Sequence, residues 1–271
     1  MNSKLVVVMG GFDDILSRDL RFLEEAAKLG RLTVLLWPDE VLAKLTGKPP
    51  KFPLAERLYF LKAVRCVSDV VSAGSSIHPD ELPAGSHARI WADVETSANA
   101  DRENFCRENH VTYRIFKADE LKGFPEPPPQ PPVSGAKKVV VTGSFDWFHS
   151  GHVRFLEEVS RNGDLYVIVG HDANIRLLKG GGHPLLPQEE RRYVVGSIKF
   201  VKQALISSGR GWMDADPEIR RLKPDLYVVN EDGDKGGKRE YCRDLGIEYL
   251  VLKRAPAPGL PERSSTVLRG F

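Results

Sequence analysis

Cysteine is scarce: three in 271 residues, Cys66, Cys106 and Cys242, far apart and odd in number. That excludes a disulfide scaffold, and the lack of any Cys-x-x-Cys or Cys/His cluster excludes a structural zinc site. The thiols read as buried or idle in a reducing compartment. An excess of one charge is missing too, since 39 Lys and Arg against 37 Asp and Glu leave only +2. A dedicated nucleic-acid binder would carry a basic stripe, so no nucleic acid is expected as partner. No apolar run approaches the roughly 18 residues of a membrane span. The N-terminus passes from Met1-Asn2-Ser3-Lys4 straight into Leu5-Val6-Val7-Val8 without a leader-like apolar region. These absences imply a cytoplasmic protein with no membrane partner.

What remains is enough for an ordinary core, at 41% hydrophobic residues. Charge is slightly uneven: residues 1–123 hold 17 Lys and Arg against 18 Asp and Glu, residues 124–271 hold 22 against 19. An excess of cations in the second part suits an anionic small molecule.

The run Pro125-Glu126-Pro127-Pro128-Pro129-Gln130-Pro131-Pro132 divides the chain. Proline fixes φ and lacks a backbone donor, so 124–135 is expected to be an extended linker without a core of its own. The flanking parts, 1–123 and 136–271, repeat one another. Val6-Val7-Val8-Met9-Gly10-Gly11-Phe12-Asp13 matches Val139-Val140-Val141-Thr142-Gly143-Ser144-Phe145-Asp146, and Arg21-Phe22-Leu23-Glu24-Glu25 matches Arg154-Phe155-Leu156-Glu157-Glu158. Glu56-Arg57-Leu58-Tyr59 answers Glu190-Arg191-Arg192-Tyr193, and Cys106-Arg107 answers Cys242-Arg243. An ordered series of this kind indicates duplication of a whole domain.

Each half alternates strand and helix. In the second, strands are expected at 138–141, 165–170, 225–230 and 249–252, with helices around 189–198 and 238–245. A further helix carries Val153, Leu156 and Val159 on its apolar side. This alternation predicts right-handed βαβ units and parallel sheets: an α/β chain of two tandem Rossmann-like domains.

The chemistry concentrates in Gly143-Ser144-Phe145-Asp146-Trp147-Phe148-His149-Ser150-Gly151-His152, after a predicted strand and at the opening of a helix. Ligands of open parallel sheets bind beyond the C-terminal strand ends, where a helix N-terminus offers free amides and partial positive charge to phosphate. Gly151 would let the backbone approach a ligand closely, and His149 and His152 would point into one cleft. Nucleotidyl transfer asks a protein mainly to position reactants and stabilise spreading charge, which paired imidazole donors fit. Two histidines merely capping a helix is the plainer reading.

These residues resemble the signature of the cytidylyltransferase family of nucleotidyltransferases, and the similarity covers most of 137–269. The resemblance implies transfer of CMP from CTP to a phosphorylated small-molecule acceptor, with pyrophosphate released. It implies His149, His152, Lys179 (within Arg176-Leu177-Leu178-Lys179-Gly180) and Arg191 as catalytic residues, with Arg192 a rival for the role of Arg191. Gly143, Ser144, Phe145, Asp146, Gly151, Ser264, Ser265 and Thr266 would bind the nucleotide, and Asn230, Glu231 and Asp232 the acceptor. Mg²⁺ would bridge the phosphates, with no metal ligand assigned to the protein. Two other readings stay open. One is an ATP-dependent adenylyltransferase of the heptose-phosphate or FMN type, which Leu178-Lys179-Gly180 followed by Pro187 also resembles. The other is a non-catalytic nucleotide-binding regulator.

The tandem arrangement is similar to ethanolamine-phosphate cytidylyltransferase, with one difference. Here Leu16, Arg18 and Asp19 stand where the second half has His149, Gly151 and His152. The first half is therefore expected to be a degenerate, non-catalytic domain, the chain forming a monomeric pseudo-dimer or a homodimer.

Overall fold

A computed structural model describes residues 4–127, 131 and 133–268. The chain divides into two compact units, Met1–Gly123 and Phe124–Phe271.

In the first unit the strands are β1 (Leu5–Gly10), β2 (Arg31–Leu36), β3 (Asp69–Ser72), β4 (Ile90–Val94) and β5 (Thr112–Phe116). The helices are α1 (Ser17–Ala27), α2 (Asp39–Thr46), α3 (Leu54–Ala63) and α4 (Ala100–Glu108). The second unit has β6 (Lys138–Gly143), α5 (Ser150–Ser160), β7 (Asp164–Val169), α6 (Asp172–Lys179), α7 (Gln188–Gly196) and β8 (Val201–Ile206). It continues with α8 (Asp216–Leu222), β9 (Leu226–Asn230), α9 (Lys238–Asp244), β10 (Glu248–Leu252) and α10 (Ser265–Leu268). Each unit holds a five-stranded sheet, ordered β3-β2-β1-β4-β5 and, read from the corresponding edge, β8-β7-β6-β9-β10. All strand pairs are parallel. The two units share one topology.

The sequence dictates this directly. A parallel strand covered by helices on both faces must be apolar on both, and Val6, Val7 and Val8 are buried, as are Val139, Val140 and Val141. Val153, Leu156 and Val159, spaced at helical period, are fully buried on α5. Cys106 and Cys242, at matching places on α4 and α9, are buried in the two cores, and burial pushes each thiol up to about 11. Half-buried Cys66 is likewise pushed up, by burial, to about 12. All three are unreactive thiols at neutral pH.

The proline-rich segment differs from a free spacer at its start. The Phe124 ring lies 5.8 Å from that of Tyr193, and the Phe124 carbonyl accepts from Arg192 at 2.9 Å. An aromatic residue just before the prolines thus anchors the segment on the second unit. Pro128, Pro129, Gln130 and Pro132 lie outside the described residues.

The sheet order changes direction at β6, between β7 and β9, so their C-terminal ends part and leave a crevice. The first strand-to-helix turn opens into it.

Candidate active site

That turn is built by a pattern both units share. Gly143 ends β6, and a Cβ there would lie 2.9 Å from the Phe145 ring, which folds back over it. Phe145 is buried with φ +49°, a left-handed backbone that a non-glycine residue adopts only under constraint. Gly10 and Phe12 (φ +47°) repeat this arrangement. The Gly-x-Phe-Asp pattern is therefore a rule for shaping the turn. Asp146 belongs to it as well: its carboxylate accepts from the amides of Leu185 at 2.6 Å and Leu186 at 3.2 Å, and contacts His183 Nδ1 at 3.2 Å. Expected to hold nucleotide, Asp146 instead pins the 183–186 loop. Asp13 pins Lys51 and Phe52 in the same way.

Beyond the turn, His149 is the N-cap of α5. Its Nδ1 accepts from the Gly151 amide at 3.1 Å, and His152 Nδ1 accepts from the His149 amide at 3.4 Å. A neutral imidazole with Nδ1 accepting carries its proton on Nε2. The rings lie 4.1 Å apart between centroids, and Phe148 stacks on His152 at 5.3 Å. His149 is 2% exposed, and its Nε2 is buried without a hydrogen-bond partner. A buried donor of this kind is costly to leave unmet, which marks it as awaiting a ligand. Burial first, then the nearby Arg254 and Arg263, push His149 down to about 4. Burial, then His149, Arg254 and Lys179, hold His152 well below its ordinary value. Both rings are neutral at physiological pH, with the N–H on Nε2.

Capping and ligand donation are thus not rival readings. The same rings do one with Nδ1 and present Nε2 for the other. Gly151 has a different reason from the one its position suggested: a Cβ there would sit 2.9 Å from His149 Cε1 and 3.0 Å from Nδ1. The glycine leaves room for the imidazole.

The histidines open on a cavity of about 560 Å³ lined also by Gly143, Ser144, Lys179, Asn230 and Asp232. Lys179 Nζ donates to Ser144 Oγ at 2.8 Å, so α6 and the turn meet at the cavity wall. Glu231 does not line it. Ser264 and Ser265 lie just outside: Ser265 Oγ donates to the Trp147 carbonyl at 3.1 Å, and the Arg263 carbonyl lies near Gly151. The Ser265 hydroxyl therefore braces the turn. The Thr266 side chain lies outside the described residues.

Arg191, expected to be catalytic, is turned into the protein. It is fully buried, with Nε donating to the Leu186 carbonyl at 2.9 Å and Nη2 to the Gly170 carbonyl at 2.8 Å and Asp172 Oδ1 at 2.7 Å. Nη1 donates to the Ser144 carbonyl. Its donors are consumed by the protein, so it clamps the turn rather than a phosphate. Its charge was visible in the sequence; the destination of its donors was not.

Among the lining residues without an expected role are Asn174, Lys235, Lys238 and Arg254. Asn174 is 2% exposed and holds Gly211 through both of its amide atoms, at 3.0 and 2.8 Å. Arg254 bridges Asp232 (2.9 Å) and the Arg263 carbonyl (2.7 Å). Lys235 and Lys238 belong to Gly233-Asp234-Lys235-Gly236-Gly237-Lys238, a glycine-lysine run whose composition suits phosphate and was the available signal. Among the described residues no group of three or more His, Cys, Asp or Glu side chains could hold a metal ion. The cavity carboxylates are occupied within the protein, Asp232 by Arg254 and Asp214 by Ser207.

The first unit keeps the turn and loses the donors. Leu16 replaces His149 as N-cap, and the Leu16 amide donates to Asp19 Oδ2 at 2.8 Å, so Asp19 takes over the capping part of His152. Arg57 reproduces the Arg191 clamp on Phe52, Gly11, Trp37 and Asp39.

A cleft with cationic walls and paired imidazole donors at the switch point places the second unit among the α/β nucleotidyltransferases. A family model described as cytidylyltransferase-like matches residues 140–266. The chain is 40% identical over 120 residues to a protein named FAD synthase from Ferroglobus placidus, covering 43% of this chain and 75% of that one. This chain belongs to the cytidylyltransferase-like family of nucleotidyltransferases. It is also 26% identical over 262 residues to the bifunctional protein HldE of Campylobacter fetus, across 88% of this chain and 53% of that one. Among solved structures, a lipopolysaccharide core biosynthesis protein from Thermoplasma volcanium is 25% identical, matching 45% of this chain and 98% of that one with a TM-score of 0.39. No helix among the described residues is long and apolar enough to cross a membrane.

Proposed function

We propose that the second unit transfers an adenylyl group from ATP to a phosphorylated acceptor, with flavin mononucleotide the first acceptor to test. The buried, unpartnered Nε2 of His149 carries the nucleotidyl-transfer reading. The donor replaces the CTP expected from the histidine motif. A relative named FAD synthase supports this choice, because FAD is by its constitution an adenylyl group joined to flavin mononucleotide.

In the proposed reaction an oxygen of the acceptor phosphate attacks the α-phosphorus of ATP in line. The new P–O bond forms as the α–β bridging bond breaks, and pyrophosphate leaves with the electron pair. His149 and His152 donate N–H to the α-phosphate oxygens as negative charge gathers there. Their neutrality suits this role, since a donor that stays protonated on Nε2 needs no proton transfer. Lys179, Lys235, Lys238 and Arg254 supply the cationic wall for the remaining phosphates and the acceptor. Ser144 is held by Lys179, and Arg191 positions the turn from behind. Mg²⁺ is proposed to enter as part of the substrate, carried by the triphosphate and water, which is this ion's usual mode of binding. The first unit, with aspartate for histidine, is proposed to be non-catalytic.

The test is pyrophosphate release by the purified chain with ATP, CTP, GTP and UTP, each crossed with flavin mononucleotide and a set of sugar and alcohol phosphates. ATP with flavin mononucleotide is expected to give pyrophosphate and FAD in equal amounts. Turnover with CTP in preference to ATP would overturn the donor. Release from no pair would overturn the enzyme reading.

A further inference from the structure

Two carboxylates line the cationic cavity of the second unit, and they are held differently. Asp232 is paired with Arg254 at 2.9 Å, whereas Asp214, just before α8, makes no ion pair among the described residues. Ser207 Oγ donates to Asp214 Oδ2 at 2.5 Å and itself accepts from the His171 amide at 2.9 Å. A Cβ on Gly170 would lie 3.4 Å from the same Oδ2, so the carboxylate rests against bare backbone. Among the described residues this bond from Ser207 is the one that the Asp214 carboxylate accepts, which leaves Oδ1 to the cavity.

The loop that carries Asp214 is fixed from several sides. His171 Nδ1 accepts from the Asn174 amide at 3.2 Å, so Nε2 holds the proton and donates to the Gly209 carbonyl at 2.7 Å. Asn174 holds Gly211, and the amide and hydroxyl of Ser208 donate to Glu218 at 3.1 and 2.8 Å. The first unit builds the same sheet without these groups. Its Trp37 amide meets the Gly10 carbonyl as the Gly170 amide meets that of Gly143, and its Ala73 amide meets the Leu36 carbonyl as the Ser207 amide meets that of Val169. In that register Pro38 replaces His171 as N-cap, Val41 replaces Asn174 and Ala73 replaces Ser207. Thr142 and Tyr227, whose hydroxyls meet at 2.6 Å, are replaced by Met9 and Trp91. The sheet therefore does not require this polar set, which is present in the copy that has the histidines and missing from the copy that lost them.

An ionised carboxylate only accepts hydrogen bonds, and it repels phosphate. In a cleft whose lysines and arginine suit phosphate, Asp214 must face the uncharged part of the ligand that adjoins the phosphates. In a nucleotide or a sugar phosphate that part is a chain or ring of hydroxylated carbons. Acidic side chains read ribose hydroxyls in this way beside dinucleotide crevices. We infer that Asp214 Oδ1 accepts a hydroxyl of the ribose or polyol portion of a substrate, and so makes the cavity selective for hydroxylated phosphates. The inference rests on the nucleotidyl-transfer reading of this cavity.

Isothermal titration of the full-length chain tests this with matched pairs. On the donor side ATP is compared with 2′-deoxyATP and 3′-deoxyATP; on the acceptor side flavin mononucleotide is compared with a flavin alkyl phosphate whose chain carries no hydroxyl. The original chain is expected to bind at least one hydroxylated substrate about tenfold or more tighter than its deoxygenated counterpart. Asp214→Asn, close in shape and still able to accept from Ser207, is expected to remove most of that difference by weakening the hydroxylated member alone. The deoxygenated member, bound as before, reports that the variant is folded. A loss confined to ATP assigns the hydroxyl to the ribose, and a loss confined to flavin mononucleotide assigns it to the acceptor chain; either supports the inference. Equal or absent binding of both members of every pair by the original chain would overturn it, with no variant needed. So would an Asp214→Asn chain that keeps the difference or weakens both members alike. An original chain that shows the preference yet releases no pyrophosphate would overturn the proposed reaction and leave the inference standing.

Discussion

The imidazoles of His149 and His152 lie 4.1 Å apart with 37° between their planes, and each has its Nδ1 committed to a backbone amide. Both rings are thereby fixed in one tautomer and one orientation, and burial keeps them uncharged. The consequence is a separation of structural and chemical roles within one side chain, which mutation can pull apart.

His149→Asn should do so. Asparagine Oδ1 can accept the Gly151 amide as Nδ1 does, keeping the cap, but no donor reaches the Nε2 position. Turnover is expected to fall about 10²-fold or more, by analogy with loss of one oxyanion donor, while the melting temperature stays close to that of the original chain. His149→Ala should lose the same activity and in addition about 1 kcal/mol of stability from the missing cap. Near-normal pyrophosphate release by His149→Asn would remove the histidine from the chemistry.

Stability should depend on acid through the same pair. The folded value of His149 is about 4 against an ordinary 6.5, so the unfolded chain binds its proton first as pH falls. The histidine's contribution is complete above about pH 6.5 and is lost on descent toward pH 4, amounting to up to about 3 kcal/mol. His152 adds in the same direction. Denaturant melts at pH 7 and pH 5 are expected to differ more for the original chain than for His149→Asn. Equal differences would refute the assignment.

Gly151→Ala opposes two effects. Helix propensity favours alanine by about 1 kcal/mol. The added Cβ, however, would lie 2.9 Å from His149 Cε1, in a ring that is buried and capped. Overpacking of that kind outweighs propensity at about 1–3 kcal/mol. The variant is expected to be less stable and to lose turnover at least tenfold as the ring is displaced. A more stable, fully active variant would show that the ring has somewhere to go.

Arg57→Lys and Arg191→Lys are expected to destabilise their units alike, by about 3–5 kcal/mol, since lysine cannot reproduce a clamp on carbonyls in several directions and the partner carboxylates lose their pairing. Separate melting of the two units, followed by calorimetry, would show it. An Arg191→Lys chain that kept its stability and lost only affinity for ATP would restore the phosphate-binding role that the geometry denies it.

Much of this fold was legible because its strands are buried on both faces. Val6–Val8 and Val139–Val141 are apolar without alternation, which only a covered parallel strand tolerates. The edge strand β8 was not, because Lys202 and Gln203 interrupt its apolar run. At the site, the residues contiguous in sequence were readable as a group. Lys235, Lys238 and Arg254 reach the cavity from beyond the ends of β9 and β10, distant in sequence from the histidines, so only the fold brings them together. The rings of Phe145 and His149, packed where a Cβ of Gly143 and Gly151 would lie, are contacts that the sequence alone does not reveal.

The exchange of Gly170 for Trp37 bears on whether the first copy could be made an enzyme again. The Trp37 amide meets the Gly10 carbonyl as the Gly170 amide meets that of Gly143, so restoring histidines at positions 16 and 19 would supply donors, yet the indole would still line the cavity where the second copy carries no side chain. Each reversion alone therefore gains nothing. The two halves are held apart by a valley between functions, so their divergence behaves as a one-way step.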